Sequence, residues 1–343
     1  MKKPVLVIKF GSAAVTSQGE IDERVILEIA RQVSFLQVDY NIVIVSSGAV
    51  AAGKKFIPRY KGTLAERKAA AAIGNPLLIR KYARYFRPFN IALAQSLCER
   101  HHFSNRNQFL QLKSTYETLW RNNVIPIANE NDVVSNKELK FSDNDELATL
   151  IAVGFGAQKL LLCTTVGGVL DEKDQIIPVI PSIDRSVLAL ARTDKSSVGL
   201  GGMTSKLNFA RLATQLGIEV VIFNMQGEQN IIDAVKEKVG TRCLAQKTTV
   251  SARRKWLASG SLIKGIVRVD KGAIEAVKNR KSLLAVGVSE VEADFEVGEV
   301  FHIAELDGQI VAVAKSKIDS AKVKDMKLTK NLEIAHANDI VLL

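Results

Sequence analysis

A chain of 343 residues, 47% hydrophobic and 24% charged, is long enough for two domains and too apolar to be disordered. Forty-seven Lys and Arg against 36 Asp and Glu give a net charge of +11, nearly all of it in the first 250 residues, which suits phosphorylated small molecules or nucleic acid as partners. Three scattered cysteines, Cys98, Cys163 and Cys243, exclude a disulfide framework and fit a reducing cytoplasm. Lys9 cuts short the apolar stretch near the start, and Gly154, Gly156 and Gln158 divide Leu147 to Leu170, so neither a signal peptide nor a membrane span is expected.

In chain order, Val5 to Ile8 is an unbroken aliphatic run, predicted to be a strand buried on both faces. It ends in Lys9, Phe10, Gly11 and Ser12. A cation at the carboxyl end of such a strand stands at the rim where open α/β sheets bind ligands. Gly11 lets backbone N–H groups approach an anion without a Cβ in the way. Ile21, Val25, Ile26, Ile29, Val33 and Leu36 then fall at helical spacing, and Ile42 to Val45 is a second buried strand ending in Ser46, Ser47 and Gly48. Strand, helix, strand implies a parallel crossover, which makes Lys9 and Ser47 neighbours.

Gly48 to Lys55 nearly spells a P-loop, but Lys55 stands where that motif needs Ser or Thr for Mg²⁺. The run is expected instead to serve close packing of a helix on a strand through small residues. Thr63 to Phe86 reads as two helices broken at Gly74, Asn75 and Pro76. Ile91 to Leu97 is a third strand, Phe109 to Trp120 a helix, and Val124 to Ala128 a fourth strand that ends in the polar cluster Asn129, Glu130, Asn131 and Asp132. After an excursion through Glu138 to Phe141, Ser142, Asp143, Asn144 and Asp145 lead into a helix from Glu146 to Val153. Asp143 or Ser142 suits the N-cap, which leaves Asn144 and Asp145 at the positive end of the helix.

Lys159 to Cys163 is a fifth strand, followed by Thr164 and Thr165. Gly199, Gly201 and Gly202 precede a helix that opens near Lys206, the pattern of a backbone nest for phosphate with a second cation beside it. Val220 to Phe223 is expected to be the last strand of a doubly wound, mostly parallel α/β domain. Beyond Ser251 the texture changes to short β-like runs, Gly265 to Val269, Glu299 to Ile303, Ile310 to Val313 and Ile340 to Leu343, with a helix from Lys271 to Lys278. Residues 1–250 and 260–343 are therefore expected to be separate domains, the second a small β-barrel-like one.

Two lysines, glycine nests and clustered Asp and Asn suit phosphoryl transfer, in which catalysis rests on positioning and on neutralising the moving phosphoryl group. Lys9 and Lys206 supply cations from two sides, and Asp145 can pair with both and hold them apart. No His or Cys cluster has metal-ligand spacing, so no protein metal site is expected and Mg²⁺ arrives with a nucleotide.

The chain resembles the glutamate 5-kinase family, an amino acid kinase fold followed by a PUA domain. The resemblance rests on residues 7–12 (Val-Ile-Lys-Phe-Gly-Ser), 45–53, 129–132 (Asn-Glu-Asn-Asp), 142–145 (Ser-Asp-Asn-Asp) and 201–206 (Gly-Gly-Met-Thr-Ser-Lys), in that order. It implies ATP-dependent phosphorylation of the γ-carboxylate of L-glutamate to γ-glutamyl phosphate, the first step of proline biosynthesis. It also implies Lys9, Lys206 and Asp145 as catalytic residues and Ser47, Asp132 and Asn144 as glutamate ligands. Lys9, Gly11, Thr164, Thr165 and the segment Leu200, Gly201, Gly202, Met203, Thr204, Ser205 and Lys206 are then the nucleotide contacts. The implied setting is a cytoplasmic homo-oligomer, dimer or tetramer, with γ-glutamyl phosphate reductase downstream. No membrane partner is expected, and the near-neutral charge of the tail and its lack of an aromatic-rich stacking strand argue against RNA. Thr165 stands where the family has Asp, and Lys113 where it has Arg. Two alternatives stay open: another enzyme of the same superfamily, acting on N-acetylglutamate, aspartate or UMP, and an RNA-binding PUA protein.

Overall fold

The computed structural model describes residues 3–134, 143–190, 202–247, 263–292, 294–325 and 332–342. The chain divides into two compact units, residues 1–102 with 107–248 and residues 249–343, with the short piece 103–106 grouped with the second.

The first unit is built on an eight-stranded sheet. In chain order its early elements are β1 (Val5–Phe10), α1 (Ser12–Val15), a small hairpin of β2 (Thr16–Ser17) and β3 (Glu20–Ile21), α2 (Glu23–Leu36), β4 (Asn41–Ser46) and α3 (Ala49–Gly53). Next come α4 (Leu64–Phe86), β5 (Ala92–Cys98), α5 (His101–Ser104), α6 (Arg106–Arg121), β6 (Val124–Glu130) and α7 (Asn144–Phe155). The unit ends with β7 (Lys159–Cys163), β8 (Val179–Ile180), α8 (Arg185–Leu190), α9 (Met203–Gln215), β9 (Glu219–Phe223), α10 (Asn230–Val235) and β10 (Thr241–Cys243). The strand order is β5-β6-β4-β1-β7-β9-β10-β8, and every pairing is parallel except β9 with β10.

Every residue of β1 is buried, as its unbroken aliphatic sequence requires of a central strand covered on both faces. Below it, Leu6, Ile8 and Phe10 pack with Ile26, Ile29 and Val33 from the apolar stripe of α2. Asp22 caps α2 by accepting the N–H groups of Arg24 and Val25. α7 packs on β1, β4, β6 and β7, and its residues from Asp145 to Val153 are all buried, so this helix is covered around its circumference.

Three expectations need correction. Thr63 to Phe86 is not two helices: α4 runs unbroken for 23 residues through Gly74, Asn75 and Pro76, from a capping box made by Thr63 and Glu66. The reason is tertiary, for α3 lies against α4 so closely that a Cβ on Gly53 would stand 1.9 Å from the Ala70 carbonyl oxygen, and one on Gly74 1.7 Å from that of Ala49. The small residues of the P-loop look-alike therefore serve helix-on-helix packing, not helix on strand, and Lys55 pairs with Glu20 at 2.7 Å. The strand at Val220 to Phe223 is not the last of its sheet, because β10 pairs with it and β8 with β10. Both added strands are three residues or fewer, too short to leave a periodic signal.

The second unit holds a mixed five-stranded sheet in the order β13-β11-β14-β15-β17, from β11 (Ile263–Val269), β13 (Val288–Glu292), β14 (Val300–Ala304), β15 (Ile310–Lys315) and β17 (Ile340–Leu342). A two-stranded piece joins β12 (Leu283–Leu284) to β16 (Glu333–Ala335). Its core gathers Val267, Phe295, Phe301, Ile303, Ala312 and Ile334, with Phe295 and Phe301 stacked at 4.8 Å. The helix Lys271–Lys278 forms as its sequence predicts, capped by Asp270. β13, β12 and β16 escape prediction: β13 has one buried residue and no alternating pattern, and the other two are very short.

Candidate active site

Parallel strands bring their carboxyl ends to one rim. Lys9, near the end of β1, stands beside Val45 on one side and Leu162 on the other, so the cation lies at the middle of the sheet. From β1 the chain builds toward β4, β6 and β5, and later returns to add β7 and β9 on the other side. That reversal of direction is where open α/β sheets leave a crevice. The Ser47 N–H donates to the Phe10 carbonyl at 3.0 Å, so Lys9 and Ser47 are neighbours as the crossover predicted.

The start of α7 faces this rim. Asp143 caps the helix, its Oδ1 accepting the N–H groups of Asp145 at 2.9 Å and Glu146 at 3.1 Å. Asp145 is fully buried, and its two oxygens meet two different lysines: Lys9 Nζ lies 2.5 Å from Oδ1, and Lys206 Nζ donates to Oδ2 at 3.0 Å. Burial by itself raises the Asp145 carboxyl, but Lys9 and then Lys206 outweigh it and hold the group below its ordinary value. Lys206 stands in the first turn of α9, which is tied to α7 by Ser205 Oγ donating to Asp143 Oδ2 at 2.6 Å. Glu146 pairs with Arg100. One buried carboxylate thus carries two ammonium groups, which would repel each other across a dry crevice without it.

Beside this triad runs a relay of amides. Asn144 Nδ2 donates to Ser47 Oγ at 2.7 Å and to Asn129 Oδ1 at 2.8 Å. Asn129 Oδ1 also accepts the Glu130 N–H at 2.9 Å, and Asn129 Nδ2 donates to Asn75 Oδ1 at 3.0 Å. Asn144 Oδ1 is buried and has no hydrogen-bond partner among the described residues. Ser47 and Asn144, predicted separately, therefore meet directly.

The other predicted residues fall as follows. Gly11 follows β1, and a Cβ there would lie 3.6 Å from Lys9 Nζ, an ordinary contact. Thr164 and Thr165 follow β7, the first half-buried with its N–H donated to the Phe223 carbonyl, the second exposed. Asp132 follows β6 and is half-buried. Gly202 is the N-cap of α9, Met203 is buried and Thr204 exposed. Ser205, expected at the nucleotide, donates its hydroxyl to Asp143. Leu200 and Gly201, like Ser142, lie outside the described residues.

Asn75 and Asn129 escape assignment from the sequence, and so does the second bond of Asp143. The signal available was a polar residue amid the alanines and glycine of α4, but next to Pro76 it read as a helix break. A His-containing cluster also appears that spacing did not suggest: Glu99, His101 and His102 hold ligand-type atoms within 4.8 Å of one another. His102 Nδ1 accepts the Glu99 N–H at 2.9 Å, which puts the ring proton on Nε2 and takes that ring out of any ligand set.

Comparison with known proteins gives the family. The profile of the amino acid kinase family matches residues 4–224, and that of the PUA domain matches residues 265–337. A glutamate 5-kinase from Kosmotoga olearia is 35% identical over 93% of this chain and 90% of its own length. A glutamate 5-kinase from Aliivibrio fischeri is 32% identical over 92% of this chain and 89% of its own. Among solved structures, carbamate kinase from Giardia lamblia bound to AMP-PNP covers 71% of this chain and 99% of its own at a TM-score of 0.52 and 19% identity, a likeness of fold alone. The chain belongs to the amino acid kinase family, among the kinases that resemble glutamate 5-kinase and carry a carboxyl-terminal PUA domain.

Proposed function

We propose that this kinase transfers the γ-phosphoryl group of ATP to the side-chain carboxylate of L-glutamate, forming γ-glutamyl phosphate and ADP, the entry step to proline. The observation that carries this reading is the clamp of Lys9 and Lys206 on the two oxygens of buried Asp145. The acceptor oxygen is anionic at neutral pH, so it attacks the γ-phosphorus in line without a general base while the bond to the β–γ bridging oxygen breaks. The two ammonium groups neutralise charge on the phosphoryl oxygens, and Asp145 keeps them apart and oriented.

Ser47, Asn144 and Asp132 serve the amino acid end. Ser47 Oγ has accepted from Asn144 and keeps its proton to donate to a carboxylate, while Asn144 Oδ1 and Asp132 suit an ammonium. The segment 200–206, with Gly11, Thr164 and Thr165, serves the nucleotide. Asp143, Asp145 and Glu146 already bind Ser205, the two lysines and Arg100. Mg²⁺ accordingly fits as an ion carried on the ATP phosphates, where it supplies charge neutralisation, rather than one held by these carboxylates. Three buried free cysteines agree with a reducing cytoplasm, and among the described residues no helix is long and apolar enough to cross a membrane. The catalytic domain is taken to span 1–250 and the PUA domain 260–343.

The test is an acceptor screen with the purified chain, ATP and Mg²⁺, following ADP release and trapping the acyl phosphate with hydroxylamine. Glutamate-dependent hydroxamate is expected. Turnover with N-acetylglutamate, aspartate or UMP but not glutamate would assign a different acceptor.

A further inference from the structure

We propose that Asn75, in the middle of α4, is a positioning residue that acts through Asn129 to hold the Asn144 amide with its Oδ1 presented to the acceptor substrate. The polarity of the relay starts from the backbone. The Glu130 N–H can only donate, and it donates to Asn129 Oδ1 at 2.9 Å. With that oxygen placed, Asn129 Nδ2 is directed at Asn75 Oδ1, 3.0 Å away. The same Asn129 oxygen receives Asn144 Nδ2, whose other proton goes to Ser47 Oγ, so Asn144 Oδ1 is left over for a ligand. Every amide in the row has one permitted orientation.

Asn75 closes the row at the far end. It is 4% exposed, and only its oxygen is used: Nδ2 is buried without a hydrogen-bond partner among the described residues, beside a small cavity lined by Ser46, Gln95 and Ile127. A buried amide with half its capacity unused weakens the fold. What it contributes is an acceptor for Asn129. Without that acceptor Asn129 Nδ2 is orphaned in a buried site, and the Asn129 amide is held through its oxygen alone, by the Glu130 N–H and Asn144 Nδ2. A full turn would forfeit both of those bonds, so the expected effect is a less firmly held Asn129 and, through it, an Asn144 whose Oδ1 is less precisely presented to an ammonium. The inference rests on the amino-acid-acceptor reading above.

Steady-state kinetics of the full chain tests it with Asn75→Leu and Asn75→Asp. The aspartate keeps an oxygen toward Asn129 in either protonation state. The expected result for Asn75→Leu is a KM for glutamate raised about tenfold, as for one lost buried hydrogen bond, with the KM for ATP unchanged. Asn75→Asp should stay near the wild-type KM. A rise in both KM values alike, or an Asn75→Asp enzyme as impaired as Asn75→Leu, overturns the proposal. Should Asn75→Leu not fold, Asn75→Ala is read by the same criteria. The wild-type rate on glutamate tests the acceptor reading by itself, whereas the ratios of variant to wild type test the relay.

Discussion

Ser205 Oγ donates to Asp143 Oδ2 at 2.6 Å, joining the first turn of α9 to the residue that caps α7. Asp143 is thus shared: one oxygen holds the start of α7, and the other holds the helix that carries Lys206. Lys206 is 61 residues from Asp145 in sequence, and this bond helps to bring the two together.

The two substitutions at that bond should differ in a defined way. Ser205→Ala removes one charge-assisted hydrogen bond, with an expected stability loss of about 1–2 kcal/mol. Asp143→Ala removes that bond and the cap, and should cost about 1 kcal/mol more. Urea unfolding measures both. Equal losses would mean that the cap contributes nothing.

Charge removal at the clamp should separate activity from folding. Lys206→Met leaves Asp145 paired with Lys9, and Lys9→Met leaves it paired with Lys206, so each variant should fold. Either one is expected to lower kcat by about 10²–10³, the usual loss for a group that stabilises developing charge. Single-turnover phosphoryl transfer in a quench-flow instrument is the measurement, and a kcat within about threefold of wild type would remove that lysine from the chemistry.

Asp145 also makes a signed prediction about pH. Its folded-state value is lowered, so the native protein holds the ionised form more strongly than the unfolded chain does. The stabilisation is fully present above the ordinary aspartate value of 3.8 and is lost as pH falls through the lower native value. Asp145→Asn leaves two buried ammonium groups uncompensated and should cost about 3–5 kcal/mol at neutral pH. The gap between wild type and variant should narrow only below about pH 4. Thermal melts from pH 3 to pH 7 test this, and a gap that stays constant down to pH 3 would contradict it.

At the contact of α3 with α4, Gly53→Ala and Gly74→Ala should each destabilise the first unit by about 3 kcal/mol or more, since the new methyl meets backbone and not a movable side chain. Gly156→Ala, with nothing within 4 Å of its Cβ but a φ of +66°, should lose only about 1 kcal/mol. Comparable losses at all three sites would rule out backbone contact as the cause.

The sequence was most informative where a local rule carries over long distances. Aliphatic runs located the central strands, and the handed crossover made Lys9 and Ser47 neighbours. It misled at Gly74, Asn75 and Pro76, whose local preference is for a break. The close approach of α3 through Gly53 and Gly74 keeps that helix continuous, and with it the place of Asn75 beside Asn129. No periodicity describes a hydrogen bond between residues 54 apart.

Composition and spacing alone determined the class of fold, the rim that gathers the strand ends and the residue types found there, because burial period and crossover geometry depend on short stretches of chain. Only the tertiary structure decided which of those residues touch: that Asp145 divides its two oxygens between Lys9 and Lys206, that Ser205 is bonded to Asp143, and that the three amides of Asn75, Asn129 and Asn144 share one polarity. Such pairings are set by side-chain distances of about 3 Å between segments far apart in the chain, and hydrogen-bond geometry at that range follows from packing rather than from pattern.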